Sequence, residues 1–269
     1  NDPIGNLDQG WTTDINHRGS VRLAELAKEA GVSRFLFSSS CIMYGAAAAE
    51  VVDETSPLDP RTVYARSKVT SEQEISQLAG DGFSPVFLRN GTVYGISPRM
   101  RLDTVLNDLV AHALVEGKVT VFSDGSPWRP VVHVEDVARS FAHVLRAPVE
   151  DVHGQAFNNG ADHLNHQVKE LAAIAAETVP GCDVEVLGQP GADQRTYKAD
   201  FGKFARTFPD FRWTWDARSG AQELAETFRD AGLSAEDLDG DRYVRLRWLQ
   251  RLMKENRLDA DLRWTKEQS

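Results

Sequence analysis

The chain has 269 residues, of which 41% are hydrophobic and 26% charged, so it can bury the core of one or two globular domains. Forty acidic residues against thirty lysines and arginines give a net charge of −10, which argues against sequence-independent binding to nucleic acid, because such binding depends on neutralising phosphates. No apolar run approaches a membrane span, the polar N-terminal stretch does not resemble a signal peptide, and two cysteines make no disulfide framework, so we expect a cytoplasmic protein.

The first hundred residues alternate between helical patterns and short apolar runs. A helix is predicted over residues 12–30, closed by Gly31, and a second helix over 63–79. Between them "RFLFSSS" is predicted to be a strand buried on both faces, and "PVFLRN" after the second helix is predicted to be another strand. The intervening loop, 45–62, is rich in alanine, proline and aspartate.

The same alternation continues beyond residue 100 and loosens after 150. A helix in "LDTVLNDLVAHALVEG" is expected to end at Gly117, "VTVF" is a strand, and "VVHVEDVARSFAHVLRA" begins extended and becomes helical. A strand at "QAFNNG", a helix over 165–178, a strand at "VEVLG" and two or three helices follow, the last with its basic residues on a solvated face. This alternation predicts an α/β fold with a parallel sheet.

The segment "VYARSKV" places Tyr64 four residues before Lys68, on one face of the second predicted helix. A tyrosine with its ordinary pKa of about 10 is a poor base at neutral pH, but a nearby cation stabilises the phenolate and lowers that pKa. The pair is therefore either an acid/base pair or a helix surface with an extended lysine, and the spacing alone does not decide between them.

Three serines follow the first predicted strand directly, in "FSSSCIMYG". The carboxyl end of a strand in an open α/β sheet is where ligands bind. The hydroxyl of Ser40 could therefore hold the oxygen that Tyr64 protonates or deprotonates, whereas a plain turn at the strand end is the alternative.

Taken in order, "SSSCIMYG", YxxxK, "LRNGTVYG" and "SDGSPWRPVVHVEDVA" resemble the extended short-chain dehydrogenase/reductase family, which includes nucleotide-sugar epimerases, dehydratases and reductases. The resemblance covers roughly residues 10–205. It implies a Rossmann-like doubly wound parallel sheet, with its N-terminal strands absent from this chain, and a smaller mixed α/β substrate-binding part. Residues 1–95 would be the C-terminal portion of the dinucleotide-binding domain, and 96–269 mainly the substrate-binding part, with some segments returning to the Rossmann domain.

The resemblance also implies roles for single residues. Tyr64 would be the catalytic acid/base, Lys68 the partner that tunes its pKa and contacts the nicotinamide ribose, and Ser40 the hydroxyl that positions the sugar oxygen. Asn16 in "INHRGS" resembles the helix asparagine that supports this site. The implied cofactor is NAD, with NADP as the alternative, and no metal is expected. The residues implied to bind the cofactor are Ser38, Tyr64, Lys68, Gly91 and Thr92, the last at a position where most relatives carry asparagine.

A nucleotide sugar is the implied substrate. Asn107 and Arg129 match the positions where the family binds a diphosphate, and "DQRTYKAD" resembles a later segment that supplies Arg195. Guanidinium forks suit phosphate oxygens, although a helix surface, a loop charge and an ion pair would also explain these three residues. The residues implied to contact the substrate are Ser40, Thr92, Asn107, Arg129 and Arg195.

The family's glycine-rich pyrophosphate turn does not occur in this chain, which contains neither GxxGxxG nor GxGxxG. We expect the chain to be part of a longer protein, the alternative being a fragment without cofactor binding. Family dehydratases and decarboxylases place an acid one or two residues after the active-site serine or threonine, where this chain has Cys41 and Ile42. That favours epimerisation, with ketone reduction second and a non-catalytic sugar-nucleotide-binding fragment third. A homodimer through helices 12–30 and 63–79 is also implied.

Overall fold

The computed structural model describes residues 2–5, 7–46, 51–80, 82–189 and 196–265. Its strands are β1 (Arg34–Ser40), β2 (Val51–Val52), β3 (Ser84–Asn90), β4 (Thr92–Tyr94), β5 (Lys118–Val121), β6 (Trp128–His133), β7 (Ala156–Asn159), β8 (Asn165–Gln167), β9 (Asp183–Val186) and β10 (Lys198–Ala199). Its α-helices are α1 (Asp2–Gly5), α2 (Gln9–Thr13), α3 (Gly19–Glu29), α4 (Val63–Ser76), α5 (Val105–Glu116), α6 (Val134–Arg146), α7 (Val149–Val152), α8 (Val168–Glu177), α9 (Gly202–Thr207), α10 (Ala217–Asp230), α11 (Ala235–Asp239) and α12 (Arg245–Lys254). A π-helical segment, Asp14–Arg18, joins α2 to α3, and 3₁₀ turns occupy Cys41–Tyr44 and Asp162–Leu164.

Strands β1, β3 and β7 form a parallel sheet in that spatial order. The register sets Ser40 opposite Asn90, and Asn90 opposite Asn159, so the carboxyl ends of the three strands coincide. Asn159 Nδ2 donates to Asn90 Oδ1 at 2.7 Å, and Asn90 Nδ2 donates to the hydroxyl of Ser38 at 3.0 Å. The sheet therefore ends in a row of hydrogen-bonded polar side chains, at the edge where open α/β sheets bind ligands.

Apolar side chains cover both faces of this sheet. On one face Ala24 of α3 and Ile75 of α4 belong to a cluster with Phe87 of β3. On the other, Val144 of α6 belongs to a cluster with Val86. Because helices cover a parallel sheet on both sides, the predicted α/β class is confirmed.

A separate core lies among α5, α8 and α10, where Leu106, Leu171 and Leu224 are fully buried. Helix α5 ends as expected at Gly117, which takes a left-handed φ of 66° that other residues rarely adopt. Three further small sheets are built from β4, β6 and β8, from β5 and β9, and from β2 and β10.

Several predicted elements differ in detail. The helix predicted over 12–30 begins earlier, at Gln9, and is π-helical in its middle. The prediction that the first strand is buried on both faces is wrong: Phe37 is buried but Leu36 is only half-buried, since β1 pairs within the described residues with β3 alone. Residues 165–167 form β8 instead of the start of a helix, because His166 pairs with Arg129 of β6 in an antiparallel ladder.

The C-terminal segment packs on the first helices of the chain. Leu252, Leu258 and Leu262 form a buried cluster against which Leu7 and Trp11 pack. Across the described parts of the chain, no helix has both the length and the apolar content needed to cross a membrane.

Candidate active site

A cleft of about 470 Å³ lies at the carboxyl ends of β1 and β3. The predicted site residues that line it are Ser38, Ser40, Tyr64, Gly91, Thr92 and Arg129. Lys68 and Asn107 do not belong to its lining, and Arg195 lies outside the described residues. The fold thus gathers most of the predicted site residues, from segments far apart in the chain, around one cavity.

Tyr64 enters this cleft from the first turn of α4. The helix begins there because the Thr62 hydroxyl accepts a hydrogen bond from the backbone N–H of Ala65 at 3.1 Å. Ser40 and Tyr64 both line the cleft. Burial raises the pKa of Tyr64, and the charge of Arg101 and the neighbouring Ser40 side chain act against that rise. The expected net lowering of this pKa by Lys68 is therefore wrong for this structure.

Lys68 lies one turn further along α4, beside the cleft. Its Nζ donates to the backbone oxygen of Ser38 at 2.7 Å and lies 4.7 Å from the ring centroid of Phe37. The distance from Nζ to the ring centroid of Tyr64 is 5.8 Å. Burial lowers the pKa of Lys68 to about 8, against the opposing charge of Glu72. Lys68 therefore loses its proton at a lower pH than an ordinary lysine, whose pKa is about 10.5.

Ser40 has two roles in the structure. Its hydroxyl accepts a hydrogen bond from the backbone N–H of Ile42 at 3.3 Å and so begins the 3₁₀ turn after β1. The same side chain lies beside Tyr64 and acts to lower its pKa. The turn and the active-site contact, which the sequence presented as alternatives, therefore coexist in one residue.

Gly91, which joins β3 to β4, and Thr92, the first residue of β4, both line the cleft. A Cβ atom at position 91 would lie 3.0 Å from Val132 Cγ2 and 3.1 Å from the backbone oxygen of Pro130, so the close approach of β6 favours glycine. Thr92 is half-buried and begins β4.

The two predicted diphosphate residues in the described chain behave differently. Arg129 on β6 is half-buried and lines the cleft, with Nη1 donating to the Trp128 backbone oxygen at 2.8 Å. Asn107 is buried, with Oδ1 accepting from Gly95 N at 3.1 Å and Nδ2 donating to the Arg101 backbone oxygen at 2.8 Å. Both ends of the Asn107 amide therefore hold the loop that carries Arg101.

Three charged residues of the cleft were missed by sequence reasoning. Arg101 and Asp103 both line it, and Arg101 Nε donates to Asp103 Oδ1 at 2.8 Å. Asp2 also lines it and its charge raises the pKa of Tyr64. The sequence argument against dehydration considered only positions 41 and 42, whereas these carboxylates come from other segments. The short charged run "RMRLD" directly after "VYGISP" was the signal available for two of them.

Asn16 lies in the π-helical segment. Single π-helical turns within α-helices frequently occur at functional sites. Its backbone oxygen accepts a hydrogen bond from the Ser71 hydroxyl of α4 at 3.1 Å. Asn16 thus connects the two long helices behind Tyr64 and Lys68. Within the described residues, no group of three histidine, cysteine, aspartate or glutamate side chains could hold a metal ion.

A helix-covered parallel sheet with a ligand-sized cleft at its carboxyl edge defines a Rossmann-type α/β protein. The model of the NAD dependent epimerase/dehydratase family matches residues 5–160, and the chain belongs to this family. The match covers more than half of the chain and confirms the family that the sequence motifs resemble.

Among curated proteins, the UDP-glucose 4-epimerase of Mycolicibacterium smegmatis is 31% identical over 179 residues, covering 65% of this chain and 56% of that protein. The uncharacterized UDP-glucose epimerase YtcB of Bacillus subtilis is 32% identical over 160 residues, covering 59% of this chain and 49% of that protein. The chain therefore spans about half the length of these relatives.

Solved structures show the same fold. The dTDP-glucose 4,6-dehydratase DesIV from Streptomyces venezuelae, with NAD and TYD bound, superposes with a TM-score of 0.71 at 24% identity, covering 86% of this chain and 70% of that one. MoeE5 in complex with UDP-glucuronic acid and NAD gives a TM-score of 0.66 at 27% identity, covering 80% of this chain and 71% of that one.

Proposed function

We propose that the protein is an NAD(P)-dependent nucleoside-diphosphate-sugar epimerase that acts at a sugar carbon through Tyr64, Ser40 and Lys68. The observation that carries the proposal is the position of Ser40 beside Tyr64 in the wall of the cleft, where the Ser40 side chain acts to lower the pKa of Tyr64. Family membership and the similarity to UDP-glucose 4-epimerases support it.

The proposed task of Tyr64 is to take the proton of a sugar hydroxyl and to return it when the hydroxyl forms again. Ser40, which lies beside Tyr64, would hold the same sugar oxygen. Because burial raises the pKa of Tyr64, the phenolate needs nearby positive charge, which Arg101 supplies from within the cleft. Lys68 would add to it if its ammonium turned from the Ser38 oxygen towards the phenol.

The proposed cofactor is NAD, with NADP as the alternative. The residues at the sheet edge fit its nicotinamide riboside half, since Ser39 lines the cleft with a buried hydroxyl that has no hydrogen-bond partner among the described residues. When bound, NAD supplies the hydride acceptor. The residues proposed to hold it are Ser38, Tyr64, Lys68, Gly91 and Thr92.

The proposed substrate contacts run along the same cleft. Ser40 and Thr92 would contact the sugar and Arg129 the diphosphate, because a half-buried guanidinium in the cleft suits phosphate oxygens. Arg195 remains proposed for the diphosphate. Asn107 would act through the loop that it holds. In this arrangement residues 1–95 carry the cofactor side and 96–269 mainly the substrate side.

We also propose a cytoplasmic homodimer. Its support is the apolar exposed side of the first long helix, where Ile15, Leu23 and Leu26 are 51%, 59% and 43% exposed. A symmetric pairing of this helix and α4 with a second copy would cover these side chains. Light scattering at micromolar concentration tests it, and a monomer would contradict it.

The test of the function uses the complete protein with UDP-glucose and catalytic NAD. Epimerisation predicts a second UDP-hexose at equilibrium, detected by NMR, with no net change in NADH absorbance. Ketone reduction is the second candidate because it needs the same tyrosine, serine and lysine; it predicts that a keto-sugar nucleotide consumes NADH in equal amount. Binding of both ligands without turnover in either assay would leave a non-catalytic binding protein and refute the epimerase.

A further inference from the structure

A second cleft, of about 440 Å³, lies where the loop after β4 meets the C-terminal segment. Pro98, Arg99 and Met100 form one side of it. The other side comes from the start of α12 and the residues before it, including Arg242, Arg245 and Trp248. None of these residues lines the cleft of Tyr64, and the segment around α12 lies outside the part matched by the family model.

The positive charges of this second cleft are not balanced by its one acidic side chain. Asp241, which lines it, forms a salt bridge at 3.0 Å with Arg251, a residue outside the lining. Arg99 and Arg245 form no salt bridge with any described residue. The cleft thus carries two guanidinium groups that form no ion pair with a described residue, within a chain of net charge −10.

Arg245 is the more unusual of the two. Its Nε atom is buried and has no hydrogen-bond partner among the described residues. Burial and the charges of Arg101 and Arg99 lower the pKa of Arg245, against the opposing charge of Asp103, so two like charges lie near it. A buried donor without an acceptor is uncommon in native proteins and commonly marks a place for a ligand, water or ion.

We propose that this second cleft is a phosphate-binding site for a small phosphorylated molecule, held by Arg99 and Arg245. Planar guanidinium groups bind phosphate oxygens through paired hydrogen bonds, and Arg245 is the first residue of a ten-residue helix whose positive end adds to the attraction. The site does not depend on the proposed epimerase activity, because its residues are separate from Tyr64, Ser40 and Arg129.

The sequence had predicted that the basic residues of the last helix form a solvated face. That prediction holds for Arg251, which is 51% exposed at its side chain. It is wrong for Arg245, which faces the loop of Arg99 and Arg101 because α12 is held down by its buried leucine cluster. The position of α12 therefore turns part of a charged helix into the wall of a cavity.

The test is titration calorimetry of inorganic pyrophosphate into the Arg129→Ala variant, in which the proposed diphosphate contact of the main cleft has been removed. Adding Arg245→Gln is expected to weaken pyrophosphate binding by about ten- to a hundredfold, the usual effect of a charge-assisted hydrogen bond. Arg245→Lys should recover only part of the loss, since an ammonium cannot form the paired bonds of a guanidinium.

Arg99→Gln supplies the second variant, because this exposed side chain forms no salt bridge or hydrogen bond with any described residue, so its loss should not disturb folding. It should weaken binding as well. Lys254→Gln is the matched control: Lys254 is an exposed basic residue of the same helix outside the lining, and its replacement should leave binding unchanged. Repeating the titration with UDP shows whether the ligand is a nucleotide. A nucleotide is supported if UDP binds more tightly than pyrophosphate and quenches the fluorescence of the protein, and if Trp248→Phe abolishes this quenching. Equal affinities for UDP and pyrophosphate support recognition of the phosphates alone.

Two results would overturn the proposal. One is the absence of pyrophosphate binding at millimolar concentration in the Arg129→Ala background. The other is equal affinity in this background with and without Arg99→Gln and Arg245→Gln. Failure of the epimerase assay would leave the proposal standing, because pyrophosphate binding does not require turnover.

Discussion

The ammonium of Lys68 donates to the backbone oxygen of Ser38 at 2.7 Å, and this bond joins helix α4 to the end of strand β1. One turn earlier on the same helix, Tyr64 lies beside Ser40, two residues further along the strand. Residues four apart on a helix share a face, as do residues two apart on a strand. The helix spacing and the strand spacing therefore bring both polar contacts to the same side of the sheet edge.

Replacing Tyr64 with phenylalanine removes the proposed proton-transfer group and little else. We expect turnover to fall by about 10²- to 10⁴-fold with an unchanged melting temperature, as is typical for the loss of a general acid/base. The control is Tyr197→Phe, which removes the hydroxyl of another tyrosine lining the cleft and should keep most of the turnover. Near-native turnover of Tyr64→Phe in the complete protein would refute its assignment.

Removing the guanidinium of Arg129 should weaken binding of a nucleotide sugar by about ten- to a hundredfold, because a charge-assisted bond to phosphate is lost. Arg129→Lys should restore only part of that affinity. The free sugar, which has no diphosphate, serves as the control ligand and should bind Arg129→Ala and the wild type equally. Titration calorimetry decides: equal nucleotide-sugar affinities in all three proteins would leave Arg129 as a structural charge.

The lowered pKa of Lys68 makes stability depend on pH in a defined window. Between about pH 8 and 10.5 the unfolded chain holds this proton and the folded chain has lost it, so the free energy of unfolding rises with pH. The cost of burying the ammonium is fully present below about pH 8 and is relieved above it.

Lys68→Met lacks this dependence, because it has no proton to lose. From about pH 7.5 to 10, the wild type should therefore gain stability relative to Lys68→Met, by at most about 3 kcal/mol for a shift of this size. Urea unfolding at several pH values measures the difference. If the difference in unfolding free energy between the two proteins stays constant with pH, or shifts in favour of Lys68→Met, then burial does not lower the pKa of Lys68.

A buried ion pair ties α4 to β3 behind the cleft. Arg89 Nη2 lies 2.7 Å from Glu72 Oε2, with the two side chains 9% and 10% exposed. Glu72→Leu leaves the arginine buried without its partner and should cost about 3–5 kcal/mol, whereas adding Arg89→Met should recover much of that loss. The control is the exposed pair of Arg18 and Asp14, where Asp14→Asn should cost less than about 1 kcal/mol. Denaturant unfolding would contradict this expectation if the double variant were less stable than Glu72→Leu alone.

Local sequence patterns were enough to predict the helices and strands of the sheet. The periodicity of α5 and the glycine after it located its end correctly, because both are properties of neighbouring residues. Strands β2 and β10 could not be predicted in this way. Each has two residues, and Val51 and Val52 are strand residues only because Lys198 and Ala199 lie alongside them.

The candidate site was predictable to the extent that each residue belonged to a motif. Tyr64 and Ser40 meet as expected, since the helix and the strand each place one residue of a motif at the sheet edge. Arg101 and Asp103 belong to no motif and reach the cleft because the loop before α5 folds over it. Asn107 shows the opposite case: it occupies a motif position, but its amide forms hydrogen bonds to the backbone of Gly95 and Arg101. This use of the amide is visible only in the three-dimensional structure.

The π-helical segment Asp14–Arg18 changes how the first long helix meets α4. A π-turn inserts one extra residue, so the positions before and after it are offset by about 100° relative to a regular helix. Trp11, upstream of the insertion, packs against the C-terminal leucines, whereas Ala24, downstream of it, packs against the sheet. Deleting one residue from this segment would restore regular winding, yet it would rotate one of these two side chains out of its own cluster.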